Sequence, residues 1–306
     1  MKLCQFQLPR LGARLGVLDG DTVIDVTSPR VGVTSVLDLL VQGRSPLGIE
    51  RLARRLAGEP RRPRHAWASI DRAPGRGRGG LRIPLDAPEI WGAGITYRRS
   101  REYYSEHDTG HGHREKGIYD HVYESERPEL FFKATISRAV GSHAALALRG
   151  DSTLTAVEAE LAVVIGAGGR IVGYTIGNDL SAWDIERANP LFLPQSKVFR
   201  GCFGFGPVIA TTSTIRDPHA LTIRCAIVRA GRVIYEGQAS TADLKRRCDE
   251  LVDWLGRYNP IPVGTVLSTG TGILVPDEHA LQDGDVVRIT IDPIGMLTNP
   301  VRRLAR

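Results

Sequence analysis

The chain has no apolar run approaching the roughly 18 residues that a membrane-spanning helix needs, so no membrane partner is expected. Its first residues, Met1-Lys2-Leu3-Cys4-Gln5-Phe6, do not place a basic region ahead of an apolar one, so no secretory leader is expected. There are four cysteines in 306 residues, Cys4, Cys202, Cys225 and Cys248, and no Cys-x-x-Cys pair. That scatter argues against a disulfide framework or a thiolate zinc site, and the thiols read as small buried apolar groups in a reducing cytoplasm. Gly-x-Ser-x-Gly is missing, which counts against a serine hydrolase. The Gly-rich run over 75–80 lacks the Lys-Ser/Thr and the following helix that a phosphate cradle requires. The net charge is +6, but the arginine excess is crowded into 51–82 and no nucleic-acid motif accompanies it. A basic surface suited to a small anionic substrate is expected, with no nucleic-acid partner.

Turns and short strands dominate what is present. With 34 Gly and 18 Pro and few long helical patterns, the composition predicts an α+β fold dominated by β structure. Alternating stretches over 3–8, 14–18 and 22–26, with Asp19-Gly20-Asp21 between the last two, predict a hairpin. Helices are expected at about 35–40, capped by Thr34 or Ser35, and at about 49–57 before Gly58. Residues 1–75 thus read as a small N-terminal α+β domain, followed by an Arg/Pro/Gly-rich solvated linker to about 84 and a catalytic domain over 85–306. Short apolar runs over 161–165, 171–176, 221–228, 232–235 and 286–291 predict strands there. Leu244, Cys248, Leu251, Val252 and Leu255 at helical spacing predict a helix over 242–258.

The stretch Val157-Glu158-Ala159-Glu160-Leu161-Ala162-Val163-Val164-Ile165 carries the most chemistry. A strand repeats every two residues, so Glu158 and Glu160 share a face and repel each other unless something positive lies between them. The pair alone fits a solvated strand edge equally well. Asp179 shifts the balance, because it follows the strand over 171–176 and can meet the pair at a neighbouring strand's end. Three carboxylates without His or Cys form a hard-oxygen site suited to Mg2+, with Mn2+ or Ca2+ as alternatives. His107, His111 and His113 cluster in a Gly-rich segment; zinc suits imidazoles, but the expectation is a polar loop able to close over substrate.

At these residues the chain resembles the fumarylacetoacetate hydrolase family. The resemblance runs from about Pro84 to Val301 through Glu158–Gly166, Gly173–Ser181, Lys197, Gly206-Pro207, Ser268–Gly272, Asp283-Gly284-Asp285 and Ile294–Val301. It implies a twisted β-roll catalytic domain, a divalent metal on Glu158, Glu160 and Asp179, and a homodimer or homotetramer. It further implies an active-site lysine at Lys197 and a substrate-binding Thr271. Within the family the likeness is to the 2-keto-3-deoxy-pentonate dehydratases, carried by Trp91–Arg101, Tyr119–Lys133 and Asn189–Lys197. On that likeness Gln195, Thr96, Tyr97 and Arg99 join Thr271 as substrate-binding candidates, and Glu129 joins Lys197 as a catalytic one. The family's hydrolases carry a His and a Glu that activate water; here Ser100 and Tyr103 stand at those positions, which argues against hydrolysis. Trp183 stands where an Arg is usual, and Arg187-Ala188 where Gly-Glu is usual, so the substrate is expected to be larger or less anionic than a pentonate.

The resemblance therefore implies loss of water from a small 2-keto-3-deoxy acid held by its carboxylate and ketone, giving a 2,5-dioxo acid. Lys197 would polarise the carbonyl or, with a depressed pKa, act as the base. The alternatives are an acylpyruvate-type hydrolase, a decarboxylase or a tautomerase, or a binding protein that keeps the fold without the chemistry.

Overall fold

Alternating burial organises the first strands. The structure, a computed structural model, describes residues 1–107 and 117–305, with the side chains of Tyr104, Glu106 and His107 outside the description. His111 and His113, and the loop expected around them, lie outside the described residues. Strands β1 (Lys2–Leu8), β2 (Gly12–Asp19) and β3 (Thr22–Asp25) form an antiparallel meander whose second turn is closed by Gly20 at φ +53°. Helix α1 (Val36–Gly43) begins at a capping box in which Ser35 accepts from the Asp38 N–H and the Asp38 side chain accepts from the Ser35 N–H. Helix α2 (Pro46–Ala57) starts on Ser45, with proline in its first turn. Between 60 and 84 the chain forms β4 (Arg64–Ala66), α3 (Trp67–Ile70) and β5 (Gly80–Leu81). The last of these pairs with β1, and Arg62 donates to the carbonyls of Leu56 and Thr27, so short pieces of this arginine-rich stretch are fastened to the strands before it.

Strands are the commonest regular element in the rest of the chain. In order it forms β6 (Ile90–Gly94), α4 (Arg98–His107), α5 (Ile118–Glu124), β7 (Glu129–Ala134), β8 (Ala139–Val140), β9 (Leu146–Leu148), β10 (Thr155–Ala156) and β11 (Ala159–Ile165). Then follow β12 (Ile171–Asp179), β13 (Ser181–Ala182), α6 (Trp183–Ala188), α7 (Leu193–Lys197), β14 (Phe203–Thr211), β15 (Thr222–Arg229) and β16 (Arg232–Ser240). Helix α8 (Cys248–Gly256), β17 (Val266–Ser268), β18 (Val286–Ile291) and β19 (Gly295–Arg303) complete it. The main sheet runs β4-β3-β2-β1-β14-β12-β11-β17-β6-β7, with β5 on β1 and β8 on β14; a second sheet runs β16-β15-β18-β19-β9. This is the expected α+β, β-dominated architecture.

All seven residues of β11 are buried, so its unbroken apolar run reflects cover on both faces. The apolar core is continuous from Leu3 to Val301 and includes all four cysteines as free thiols. No helix among the described residues is long and apolar enough to cross a membrane. The helix expected over 242–258 is shorter than its periodicity suggests and begins only at Cys248. Leu244 is drawn into a β-bridge with Tyr97, and the Lys245 N–H donates to the Thr96 carbonyl at 2.9 Å, so residues 244–245 are spent on holding the turn before α4. Two of the family-like motifs also serve the scaffold. Asp285 accepts both arms of Arg229 at 2.8 and 2.9 Å, and the Asn299 amide donates to the carbonyls of Gly141 and Ala144.

Candidate active site

Register brings the three acidic residues together. Strands β11 and β12 are antiparallel with Ala159 opposite Asn178 and Glu160 opposite Gly177. Glu158, just before β11, therefore faces Asp179 at the end of β12, and the Asp179 N–H donates to the Glu158 carbonyl at 3.0 Å. All three side chains are buried, and a carboxylate oxygen from each lies within 4.8 Å of the others. Glu160 accepts from the Ser268 hydroxyl and from the Gly270 N–H at 2.8 Å. Gly270 has φ +91°, and a Cβ there would sit 2.0 Å from the Thr96 hydroxyl, so the position demands glycine.

Two lysines meet the carboxylates. Lys197, at the end of α7, donates to Glu158 at 2.7 Å, to the Ser181 hydroxyl at 2.6 Å and to Asp179 at 3.4 Å. Lys133, fully buried on β7, lies 2.6 Å from Asp179 Oδ1 as an ion pair and donates to the carbonyls of Leu180 and Lys197 at 2.8 and 2.6 Å. The Lys133–Asp179 contact lacks hydrogen-bond geometry, which leaves Oδ1 without a hydrogen-bonded partner. Burial works against the Lys197 ammonium, but the charges of Asp179, Glu158 and Glu186 outweigh it and hold its pKa well above the ordinary range. On the chain's own charges Lys197 is thus held as an ammonium, and the base role expected of it would require the opposing charge of a bound dication.

A small cavity of about 30 Å³ opens beside this cluster, walled by Glu129, Phe131, Glu158, Glu186, Lys197 and Thr271. Glu129 enters only because residue 94 is glycine; a Cβ there would lie 2.0 Å from Glu129 Oε2. Burial, reinforced by the charge of Glu186, pushes the Glu129 carboxyl up to about 7. Glu186, buried on α6 and accepting from the Ser196 hydroxyl at 3.1 Å, is itself raised by burial. Burial and the charges of Asp179 and Glu158 push Glu160 well above its ordinary range.

The donor set fits a hard dication. Five carboxyl groups face two lysines, which leaves negative charge in excess at a buried site, and the three closest of them offer only oxygen. Glu158, Glu160 and Asp179 would hold Mg2+, with Lys197 and Lys133 balancing charge on the outer side.

The other substrate-binding candidates disperse. Thr271 lines the cavity, but its hydroxyl donates to the Ala159 carbonyl at 3.0 Å. The Thr96 hydroxyl donates to the Thr269 carbonyl at 2.6 Å, and Tyr97 is buried with its hydroxyl unpartnered and its pKa raised chiefly by burial. Arg99 is exposed on a surface groove with Arg224 and Arg288, and Gln195 is exposed on α7. The structure does not bring these four side chains to the cavity. Ser100 and Tyr103, at the positions of the hydrolytic pair, are engaged elsewhere. The Ser100 hydroxyl donates to the Thr271 carbonyl, and the Tyr103 hydroxyl lies 3.2 Å from Asp277.

Sequence reasoning missed Lys133 as a site residue, along with Ser181 and Glu186. Lys133 lies two and four residues beyond Phe131 and Glu129, but the β6–β7 register shifts beside it, so strand alternation alone does not place it. Glu186 gave no signal, because a glutamate on a short polar helix reads as exposed.

The family model for the fumarylacetoacetate (FAA) hydrolase C-terminal region matches residues 90–302. The chain is 50% identical over 222 residues to a 2-dehydro-3-deoxy-D-arabinonate dehydratase of Saccharolobus solfataricus, covering 72% of this chain and 74% of that protein. It is 44% identical over 219 residues to a probable 2-keto-3-deoxyxylonate dehydratase of Haloferax volcanii, with the same coverage, 72% and 74%. A solved 2-keto-3-deoxy-D-arabinonate dehydratase, complexed with magnesium and 2,5-dioxopentanoate, superposes with a TM-score of 0.82 at 38% identity, covering 100% of both chains.

Proposed function

Since the chain belongs to the fumarylacetoacetate hydrolase family, we propose that it is a magnesium-dependent dehydratase of a 2-keto-3-deoxy sugar acid of the arabinonate kind, releasing a 2,5-dioxo acid. The observation that carries this reading is the buried trio Glu158, Glu160 and Asp179, whose member Glu158 walls a cavity together with Glu129 and Lys197. Bound at the trio, Mg2+ supplies Lewis acidity to a chelating 2-keto acid.

The chain's own groups do the rest. Glu129, with a carboxyl at about 7, is poised to take the proton from substrate C3 near neutral pH and to return it to the C4 hydroxyl as that C–O bond breaks and water leaves. The resulting C3=C4 enone, losing a proton from C5 and regaining one at C3, tautomerises to the 2,5-dioxo acid. Glu186 raises that carboxyl by its charge and supports the same proton-handling wall. Lys197, held as an ammonium, polarises the substrate carbonyl oxygen and keeps Glu158 and Asp179 facing inward. Thr271 shapes the substrate side, and Thr96 acts at one remove by bracing the turn that carries the Gly270 N–H. Ser100 and Tyr103, at the positions of the hydrolytic pair, are hydrogen-bonded to Thr271 and Asp277, which supports elimination over water activation by that pair. In the same reading the enzyme works in the cytoplasm as a homodimer or homotetramer, which light scattering during gel filtration would test.

Incubation of the protein and Mg2+ with a panel of 2-keto-3-deoxy sugar acids and acylpyruvates, followed by mass spectrometry, decides the reaction. A product lighter by one water is expected from the sugar acids. Cleavage into two fragments that together gain a water would overturn the reading.

A further inference from the structure

Glu158 is gripped on both oxygens. Lys197 takes Oε2 at 2.7 Å, and the indole N–H of Trp183 donates to Oε1 at 2.9 Å. The terminal torsion of a glutamate is soft and roughly two-fold, so a carboxylate held at one point swings freely. An indole N–H only donates and sits on a rigid ring, and this ring is 1% exposed. Together these features fix which way Oε1 turns.

The ring is held in turn. Its backbone N–H donates to the Leu154 carbonyl at 2.9 Å. One helical turn later on α6, the Arg187 guanidinium lies over the indole at 5.0 Å, and the Tyr103 ring from α4 packs against it at 5.6 Å. Arg187 is anchored by two bonds to Asp277, at 2.6 and 3.0 Å, and by one to the Tyr103 hydroxyl at 3.1 Å. Three separate pieces of chain therefore converge on one indole whose N–H ends on a candidate metal ligand.

We propose that Trp183 is a positioning residue for the metal site, presetting Glu158, and that Arg187, braced by Asp277 and Tyr103, locks Trp183 in that pose. The inference rests on the reading of Glu158 as a magnesium ligand. It adds to the expectation drawn from sequence, in which Trp183 in place of an Arg implied a larger or less anionic substrate, because its polar atom is committed to Glu158 and Arg187 lays a cation against its ring.

The test is calorimetric titration of Mg2+ into wild-type, Trp183→Phe, Arg187→Met and doubly substituted protein, with the metal dependence of turnover measured in parallel. Trp183→Phe keeps a ring and loses the N–H, so Mg2+ binding weakens roughly tenfold to a hundredfold, the range for outer-shell partners of metal ligands. Turnover at saturating Mg2+ falls much less, a split that general loosening of the fold would not give. Arg187→Met weakens binding in the same direction by less, and the double variant falls short of the product of the two effects. Unchanged Mg2+ affinity in a folded Trp183→Phe protein overturns the proposal. If that variant does not fold, Arg187→Met decides, and wild-type affinity there overturns it as well. A wild-type protein that binds no Mg2+ overturns the metal reading itself, which is a separate result.

Discussion

The two walls of the site are built by different means. One is strand: Glu158, Glu160 and Asp179 come from paired ends of β11 and β12, and Glu129, Phe131 and Lys133 come from β7. Backbone ladders set their spacing, so each side chain is placed before it makes any contact of its own. The other wall is helical, from α4, α6 and α7. Helices α6 and α7 have six and five residues, too short to be stable alone, and side chains hold them. Arg187 ties α6 to Asp277 and to α4, and Lys197 ties α7 to Glu158 and Ser181. The strand wall can keep a metal-ligand geometry while the helical wall changes its residues, and the departures at Trp183, Arg187 and Ala188 all fall on the helical side. Substitution along each wall tests that division.

The largest effect belongs to the strand wall. Glu158→Gln or Asp179→Asn removes a charged ligand from the proposed site and should lower Mg2+-dependent turnover by about a thousandfold or more, measured by mass-resolved product formation at saturating substrate. Thermal stability in chelator should fall too, because each substitution leaves a buried lysine, Lys133 beside Asp179 or Lys197 beside Glu158, without its partner, so turnover is compared at temperatures where both variants stay folded. Turnover that persists in chelator would break the claim that this wall is a metal site.

Glu129 comes next. As the base at C3 it should be worth about a hundredfold to ten-thousandfold, read from kcat of Glu129→Gln. A base must be deprotonated, so kcat/KM should rise about tenfold per pH unit on the acid side and level off above the Glu129 pKa. That carboxyl stands at about 7 beside Glu186, and a dication on the neighbouring ligands lowers it, so the limb should lie at or below neutrality in Mg2+-loaded enzyme. Activity that falls as pH rises through this range would instead make Glu129 an acid.

Lys133 shows what the strand wall costs when no metal shares the load. Its ammonium is fully buried against Asp179 Oδ1, and removing one partner of a buried pair costs about 3–5 kcal/mol. Lys133→Met should lower the thermal midpoint in chelator, and saturating Mg2+ should recover much of the loss by supplying the missing charge. An equal deficit with and without Mg2+ would detach Lys133 from the metal site.

The same division explains what could be read from sequence. Period two put Glu158 and Glu160 on one face, and the strand ending at Asp179 put the third carboxylate opposite them, because a ladder converts spacing directly into position. The hairpin over the first 25 residues and the Ser35 cap follow from equally local rules. Local pattern misled where a long-range contact took over. Leu244 fits a helical stripe, yet it is drawn out by Tyr97, which the spacing could not show. Glu186 becomes buried only through the docking of α6 and α7, and the indole N–H of Trp183 found its partner 25 residues away across the fold. Lys133 was missed for a related reason: the β6–β7 register shifts beside it, so simple alternation along β7 does not place it.

The smallest effects should come from the residues that the family likeness placed on the substrate and the fold leaves outside. Arg99 opens onto a groove with Arg224 and Arg288, and Gln195 is exposed on the outer side of α7. Exposed side chains without buried partners change stability by about half a kcal/mol or less. Arg99→Ala and Gln195→Ala should therefore keep kcat/KM within about twofold and leave the thermal midpoint unchanged. A tenfold rise in KM for Arg99→Ala would contradict the division between walls in one specific way. Arg99 is not among the residues that wall the cavity of its own chain, so such a loss would point to a second copy presenting its arginine to this site. Mixing Arg99→Ala subunits with subunits carrying Asp179→Asn would then restore activity, since one subunit in each pair would keep an intact trio beside an intact arginine. Neither variant recovers activity on mixing if every site is complete within one chain.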